Sequence, residues 1–431
     1  MSKNYSYVKK IKIWIVRQLR LLEKYTKTDN IYIIKSGIEM FLGSSLGLVT
    51  GVIMYILYSY FLSTETLGVY KYYLSLYALF GITTFTGIDS SLGRSVARGY
   101  DGSLATAFRQ KFFGGLCGSI IGLIIAIWYF MHGEKNLALG CILISTLAPV
   151  IYASSLYGNF LVSKKKFTEY RKTVLTVGLV SFCILVVSVL IIRNPVGLFA
   201  MNLISNTTII AAYIHVSRRF VSNEKNDPEL IPYGRRLSLV EFIGTFASQV
   251  DSLLVFHFLG AAPLAVYSIA NMPVDQVRGF LKIGSAIAYP KISAQSEINV
   301  KNILHKAGLM MLVACFTAVI YVFLIPIFFH TIIPRYNESI AYSQVLVFTL
   351  IFASPTTFLV TFFYARGATK NIFVFNLVNY GSLILFNLIG VLYWGIWGVV
   401  YASFANRTLI WIFAILQVIC IDKTKPGLSR A

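Results

Sequence analysis

The chain has 431 residues, 57% of them hydrophobic and only 13% charged, with a formal net charge of +21. That balance excludes a soluble globular domain and fits a polytopic helical membrane protein. A surplus of +21 in a soluble protein would point to nucleic acid, so where the charge sits decides what it means.

The opening segment, Tyr5 to Tyr25, mixes Lys9, Lys10, Lys12, Arg17 and Arg20 with Ile11, Trp14, Ile15, Leu19 and Leu22. It reads either as a basic amphipathic helix on an anionic leaflet or as a solvated basic tail. Residues 1–30 are thus a cytoplasmic segment, with no apolar core and cleavage site of the signal-peptide kind. Six spans follow at about Ile33–Leu62, Leu67–Ser91, Ala105–Met131, Leu137–Val162, Val174–Ile192 and Pro195–Val216, forming an N-terminal bundle over 31–216. Gly43, Gly47 and Gly51 in span 1, and Gly114, Gly118 and Gly122 in span 3, recur every four residues and predict close helix contacts. A polar linker, 217–236, carries Asn226, Asp227, Pro228 and Pro232. Spans 7 and 8 are Leu237–Gly260 and Ala262–Ala288. Spans 9 to 12 cover about Ile303–Ile332, Ile340–Tyr364, Ile372–Tyr393 and Ile396–Ile421, so a C-terminal bundle fills 237–421 and a tail 422–431. The expected fold is all-α, with twelve transmembrane helices in two six-helix bundles.

With both termini cytoplasmic, 30 of the 38 basic residues fall on the inner side and three, Lys135, Arg193 and Arg335, outside. Lys35, Lys71, Arg278, Lys282 and Arg407 remain within spans. This positive-inside bias accounts for the surplus and needs no nucleic acid. Asp89 and Arg94 are expected to pair at the inner surface.

Spans 7 and 8 are the polar exception. Asn271, Asp275, Arg278 and Lys282 are spaced four, three and four apart, on one helix face. Glu241, Thr245, Ser248 and Ser252 form a similar face, with Gln249 and Asp251 beside it. Each buried charge costs roughly 2.5–3.5 kcal/mol even on lenient insertion scales, so these side chains should face a wet cavity or one another. At ~1.5 Å per residue from the outer turn, Asp251 lies at ~13 Å, Asp275 at ~18 Å, Arg407 at ~20 Å and Arg278 at ~22 Å, with Glu241 and Lys282 near the inner mouth. Asp251, Asp275 and Arg278 either neutralise one another or face a substrate or ion. Arg407 faces either the cavity or the polar stripe of span 11 (Asn376, Asn379, Tyr380 and Asn387). Lys71 lies near a span end, where long side chains snorkel, and is retained as a cavity candidate. Substrate candidates are therefore Arg278, Arg407, Lys282, Asp275, Asn271, Gln249 and Lys71. Candidates for coupling to H⁺ or Na⁺ are Asp251, Asp275 and Glu241.

A repeat links the halves. Phe61–Tyr70 and Phe258–Tyr267 share F-L-x-x-x-x-L-(G/A)-V-Y at an offset of 197 residues, each at a hairpin turn. The five cysteines lie singly and indicate neither disulfides nor metal. There is no P-loop pattern, and the short outer loops leave little room for a glycan-joining enzyme site.

Twelve spans in two halves, Leu67-Gly68-Val69-Tyr70, and Asp251 followed by Gly260 and Tyr267 resemble the Wzx-type polysaccharide flippases of the multidrug/oligosaccharidyl-lipid/polysaccharide (MOP) exporter superfamily. Gly93-Arg94 and Tyr289-Pro290-Lys291 are similar too. The resemblance implies a MATE-like V-shaped central cavity lined by spans 1, 2, 7 and 8, working by alternating access in a bacterial inner membrane. It implies as cargo an undecaprenyl-diphosphate-linked oligosaccharide, for O-antigen or another surface polysaccharide, moved from the cytoplasmic to the periplasmic leaflet. Membrane lipids, a polysaccharide polymerase and a chain-length regulator are the partners it suggests; no enzymatic activity and no cofactor beyond a coupling ion is expected. The alternative within the superfamily is a multidrug cation antiporter, which favours carboxylates and aromatics over arginines at mid-membrane.

Overall fold

The computed structural model describes residues 47, 49–293, 300–365 and 369–423. The basic segment at Tyr5–Tyr25, the start of span 1 with Lys35 and Glu39, and the tail beyond residue 423 lie outside the described residues. Among the described residues, helix lies in each of the twelve predicted spans. Span 1 is described as Val49–Phe61. Span 2 is built of Thr64–Thr83 and Gly87–Ala97, span 3 of Ser103–Met131, and span 4 of Lys135–Ser154 and Leu156–Ser163. Spans 5 and 6 are Phe167–Ile191 and Pro195–Ser217; spans 7 to 10 are Leu230–Leu259, Ala261–Ser293, Val300–Ile332 and Ser339–Ala365. Spans 11 and 12 share Thr369–Lys423, which turns back at Gly395.

Eight of these helices are long and apolar enough to cross a membrane, the one over Asn371–Cys420 holding two spans. Span 8 is not among them because Asp275, Arg278 and Lys282 interrupt it. Its charge marks it as a wall between helices rather than a lipid-facing surface.

Local chemistry sets the turns. Ser63 caps span 2 by accepting from the Thr66 amide at 3.1 Å, and Asn194 caps span 6 before Pro195. Gly260 joins spans 7 and 8 at φ +94°, a backbone that suits glycine. Phe85, at φ 57°, breaks span 2 into its two pieces.

The two glycine stripes behave differently. A side chain at Gly118 or Gly122 would meet Thr83 or Ser145 at 2.2 Å, so span 3 packs tightly on spans 2 and 4. Among the described residues, Gly47 has no neighbour within 4 Å, and Gly51 faces only the Gln276 amide at 3.5 Å.

The largest apolar core runs through both halves. It includes Tyr72 of span 2 stacked on Phe256 of span 7, with ring centroids 3.8 Å apart. On the face rich in basic residues, the chain between spans 6 and 7 docks on the N-terminal half. Asp101 accepts from Lys164 at 2.6 Å and from the Ser222 amide at 2.9 Å, and Asp227 accepts from Ser95 at 2.8 Å. The helix of span 7 begins at Leu230, within the stretch read as linker. The expected Asp89–Arg94 pair is not formed. Asp89 takes Lys111 at 2.7 Å and Asn159 at 3.2 Å, while Arg94 lies over the Tyr233 ring at 4.7 Å. Arg94 is five residues from Asp89, past the helical i+3 and i+4 neighbours that share a face.

Candidate functional site

The polar faces of spans 7 and 8 meet in one central cavity of about 660 Å³, well within the range of ligand sites. Seven of the candidates line it: Lys71, Gln249, Asp251, Asn271, Asp275, Arg278 and Arg407. Glu241 is not among the lining residues, and the side chain of Lys282 lies outside the described residues. The walls extend beyond spans 1, 2, 7 and 8, because Thr349 of span 10, Asn379 and Tyr380 of span 11, and Ser403 of span 12 face the same space. A smaller cavity of about 350 Å³ adjoins at Arg278 and Arg407 and is lined by Leu281, Leu350, Ala353, Ser354 and Thr357.

The charges are arranged in two layers. Near the Gly260 face, the Lys71 ammonium donates to the Tyr55 hydroxyl at 2.7 Å and lies 4.0 Å from that ring's centre. It turns into the cavity instead of reaching for the membrane surface, and it has no carboxylate partner among the described residues. Asp251 is tethered on its own side: its Oδ2 accepts from the Tyr267 hydroxyl at 2.7 Å, and its Oδ1 from the Ser252 amide at 2.7 Å. In the deeper layer, Arg278 Nη1 donates to Asp275 Oδ1 at 2.7 Å. Helical spacing of three brings that pair together. Arg278 Nε is buried without a hydrogen-bond partner among the described residues, so only part of the guanidinium fork is used there. Arg407 arrives from span 12 with no carboxylate partner among the described residues. Among the described residues, three cations and two carboxylates therefore line the cavity, and the surplus lies in the guanidinium layer.

Amide oxygens complete the lining. Oδ1 of Asn271, Asn379 and Asn387 are buried and accept no hydrogen bond among the described residues. Such orphan acceptors cost about 1–3 kcal/mol each unless a guest or water donates to them. On the other side of span 8, Met272, Pro273 and Val277 line a separate apolar groove of about 350 Å³ against Val52, Leu324 and Phe328.

The profile of the polysaccharide biosynthesis protein family matches residues 33–296. The chain belongs to that family. No curated protein matches it in sequence. Among solved structures, this polysaccharide biosynthesis protein is similar to the lipid II flippase MurJ in its inward closed conformation. That match has a TM-score of 0.69 and 14% identity, and covers 90% of this chain and 87% of that one. It is also similar to an inward-facing multidrug resistance MATE family transporter of the MOP superfamily, with a TM-score of 0.58, 12% identity and coverage of 91% and 99%. A MOP superfamily transporter from Pyrococcus furiosus gives 0.54, 14%, 91% and 96%. At such identities the likeness is one of fold, and the fold is the MOP one that the sequence motifs resemble.

Sequence reasoning missed Tyr55 and Tyr267 as partners of the polysaccharide biosynthesis protein's cavity charges. Tyr267 closes the second repeat motif, a signal of position but not of chemistry. Tyr55 carries no signal beyond lying sixteen residues before Lys71, across the turn between spans 1 and 2.

Proposed function

We propose that this protein is a flippase for lipid-linked oligosaccharides. It moves undecaprenyl-diphosphate-linked repeat units of a surface polysaccharide from the cytoplasmic to the periplasmic leaflet by alternating access. The halves 31–216 and 237–421 are the moving units, and both termini lie in the cytoplasm. The observation that carries the reading is the guanidinium layer: Arg278 and Arg407 both lie in it, and its one carboxylate among the described residues, Asp275, pairs with Arg278. A diphosphate supplies the missing negative charge, and its oxygens suit the planar donor fork of arginine. Sugar hydroxyls are natural donors to the orphan oxygens of Asn271, Asn379 and Asn387. The polyprenyl tail needs apolar surroundings, which the groove on the far side of span 8 offers. Asp251, held by Tyr267, is the candidate for H⁺ or Na⁺ coupling. An organic-cation antiporter would place the surplus of opposite sign at this depth.

The test is deletion followed by complementation. Deletion should strand lipid-linked repeat units on the cytoplasmic side and remove the surface polysaccharide. Arg407→Ala and Arg278→Ala should each lower export roughly tenfold or more, since one charge-assisted hydrogen bond carries about 1.5–3 kcal/mol. Normal polysaccharide in the deletion strain, together with new sensitivity to cationic dyes, would instead make the protein an antiporter.

A further inference from the structure

Two arginines, one from each half, converge on the end of span 1. The last carbonyls of a helix have no partner within it and carry the negative end of its dipole. Arg193, in the turn between spans 5 and 6, donates to the Phe61 carbonyl and lies over the Phe61 ring at 5.4 Å. Arg335, between spans 9 and 10, reaches from the other half and donates to the Leu62 carbonyl at 2.8 Å.

Two further contacts join the halves at this face. The first turn of span 2 presses on the start of span 8, where a side chain at Gly68 would meet the Ala261 carbonyl oxygen at 1.8 Å. A little deeper, Tyr72 stacks on Phe256. These two are apolar or backbone contacts. Arg335 supplies the polar hold on span 1.

We propose that Arg335 is a reversible latch that keeps the cavity closed on the Gly260 face. Arg193 is its static counterpart. Parting the halves on this face must break the Arg335–Leu62 bond, whereas Arg193 and Phe61 travel together within one half. The latch suits a moving joint. Its side chain is exposed, its acceptor is a neutral carbonyl, and it forms no ion pair within reach among the described residues, so Arg335 itself has one hydrogen bond to release. The inference does not depend on which cargo the cavity holds.

The experiment is a distance measurement on the full chain in nanodiscs. Spin labels go on Glu134→Cys and Asn337→Cys, exposed positions on the same face in opposite halves, with the native cysteines replaced. Arg335→Ala should raise the ratio of open to closed distances on this face by roughly tenfold, the size expected for losing one charge-assisted bond. Arg335→Gln, which keeps a donor without the charge, should shift it in the same direction by less, and stands in if the alanine variant does not fold. Arg193→Ala should leave the ratio unchanged. An unchanged distribution in both Arg335 variants, or an equal shift from Arg193→Ala, would overturn the latch.

Discussion

The two copies of the F-L-x-x-x-x-L-(G/A)-V-Y motif stand at equivalent turns, yet their last tyrosines have opposite surroundings. Tyr70 is buried among neutral groups: its hydroxyl lies 3.2 Å from that of Tyr58 and accepts from Asn202 at 3.2 Å. Tyr267 donates to the Asp251 carboxylate at 2.7 Å. The same 197-residue offset puts Met54 where Asp251 stands, Ala78 where Asp275 stands and Gly81 where Arg278 stands. Met54 is buried in the apolar core, and Gly81 lies under the Tyr152 ring. Of the charges that line the cavity among the described residues, only Lys71 comes from the N-terminal half. The scaffold is repeated and the chemistry is not. On the alternating-access mechanism proposed above, halves that rock against each other would keep the geometry of both and concentrate binding in one.

The copies also touch each other, which gives the sharpest way to break the comparison. Gly68 of the first copy lies against Ala261 within the second. Its own equivalent is Ala265, which is fully buried. Gly68→Ala should cost about 1–3 kcal/mol by overpacking against backbone that cannot give way, and should abolish most export. Ala265→Gly removes a methyl group and loosens a helix, for about 1 kcal/mol, and should keep export. Thermal melting and polysaccharide output of the two variants decide this. Equal losses would mean that the contact between the copies carries no special weight.

How far the sequence alone reached follows the same division. The twelve spans and the cavity layer at Asp275, Arg278 and Arg407 were legible because an interrupted apolar run and helical spacing are local signals. The depths of Arg278 and Arg407 put them at nearly one level, while whether Arg407 faced the cavity or span 11 stayed open until the structure placed it in the lining. Relations between spans distant in sequence were not legible. Lys71 looks like a snorkelling residue until span 1 brings Tyr55 beside it. Asp89 looks like a partner for Arg94 until span 3 delivers Lys111. The glycines of span 1 match those of span 3 in spacing, but Gly118 and Gly122 are tightly packed whereas Gly51 is in ordinary contact with Gln276. Spacing proposes a face; it does not say what packs on that face.

The tyrosines offer a smaller and more selective contrast. Tyr267→Phe leaves a carboxylate with one donor fewer, at about 1.5–3 kcal/mol for a charged acceptor. Tyr70→Phe removes two long bonds between neutral groups, each worth about 0.5–1 kcal/mol. If Asp251 couples transport to an ion, Tyr267→Phe should reduce export beyond what its melting temperature accounts for and alter its dependence on pH or Na⁺. Tyr70→Phe should lower the melting temperature slightly and leave that dependence alone. The same pH and Na⁺ response in both variants would remove Asp251 from coupling.

The smallest effect concerns the chain that joins the halves, which is itself asymmetric, since it docks on the N-terminal half. Asp101 anchors it. Burial works to raise the Asp101 carboxyl pKa, but hydrogen bonds from Lys164 and from Ser222 outweigh burial and hold it below the ordinary carboxylate value. A depressed folded-state pKa means that the clasp contributes its full stability above the unfolded value, near ~3.9. That contribution is lost as the pH falls through the lower folded value. Asp101→Asn should therefore melt below the natural protein at pH 7, and the gap should narrow on acidification toward pH ~3. Other carboxylates lower both curves together, so the difference between the two proteins isolates this one. A gap that stays constant across the range would mean that Asp101 holds the linker by shape and neutral hydrogen bonds, with no contribution from its charge.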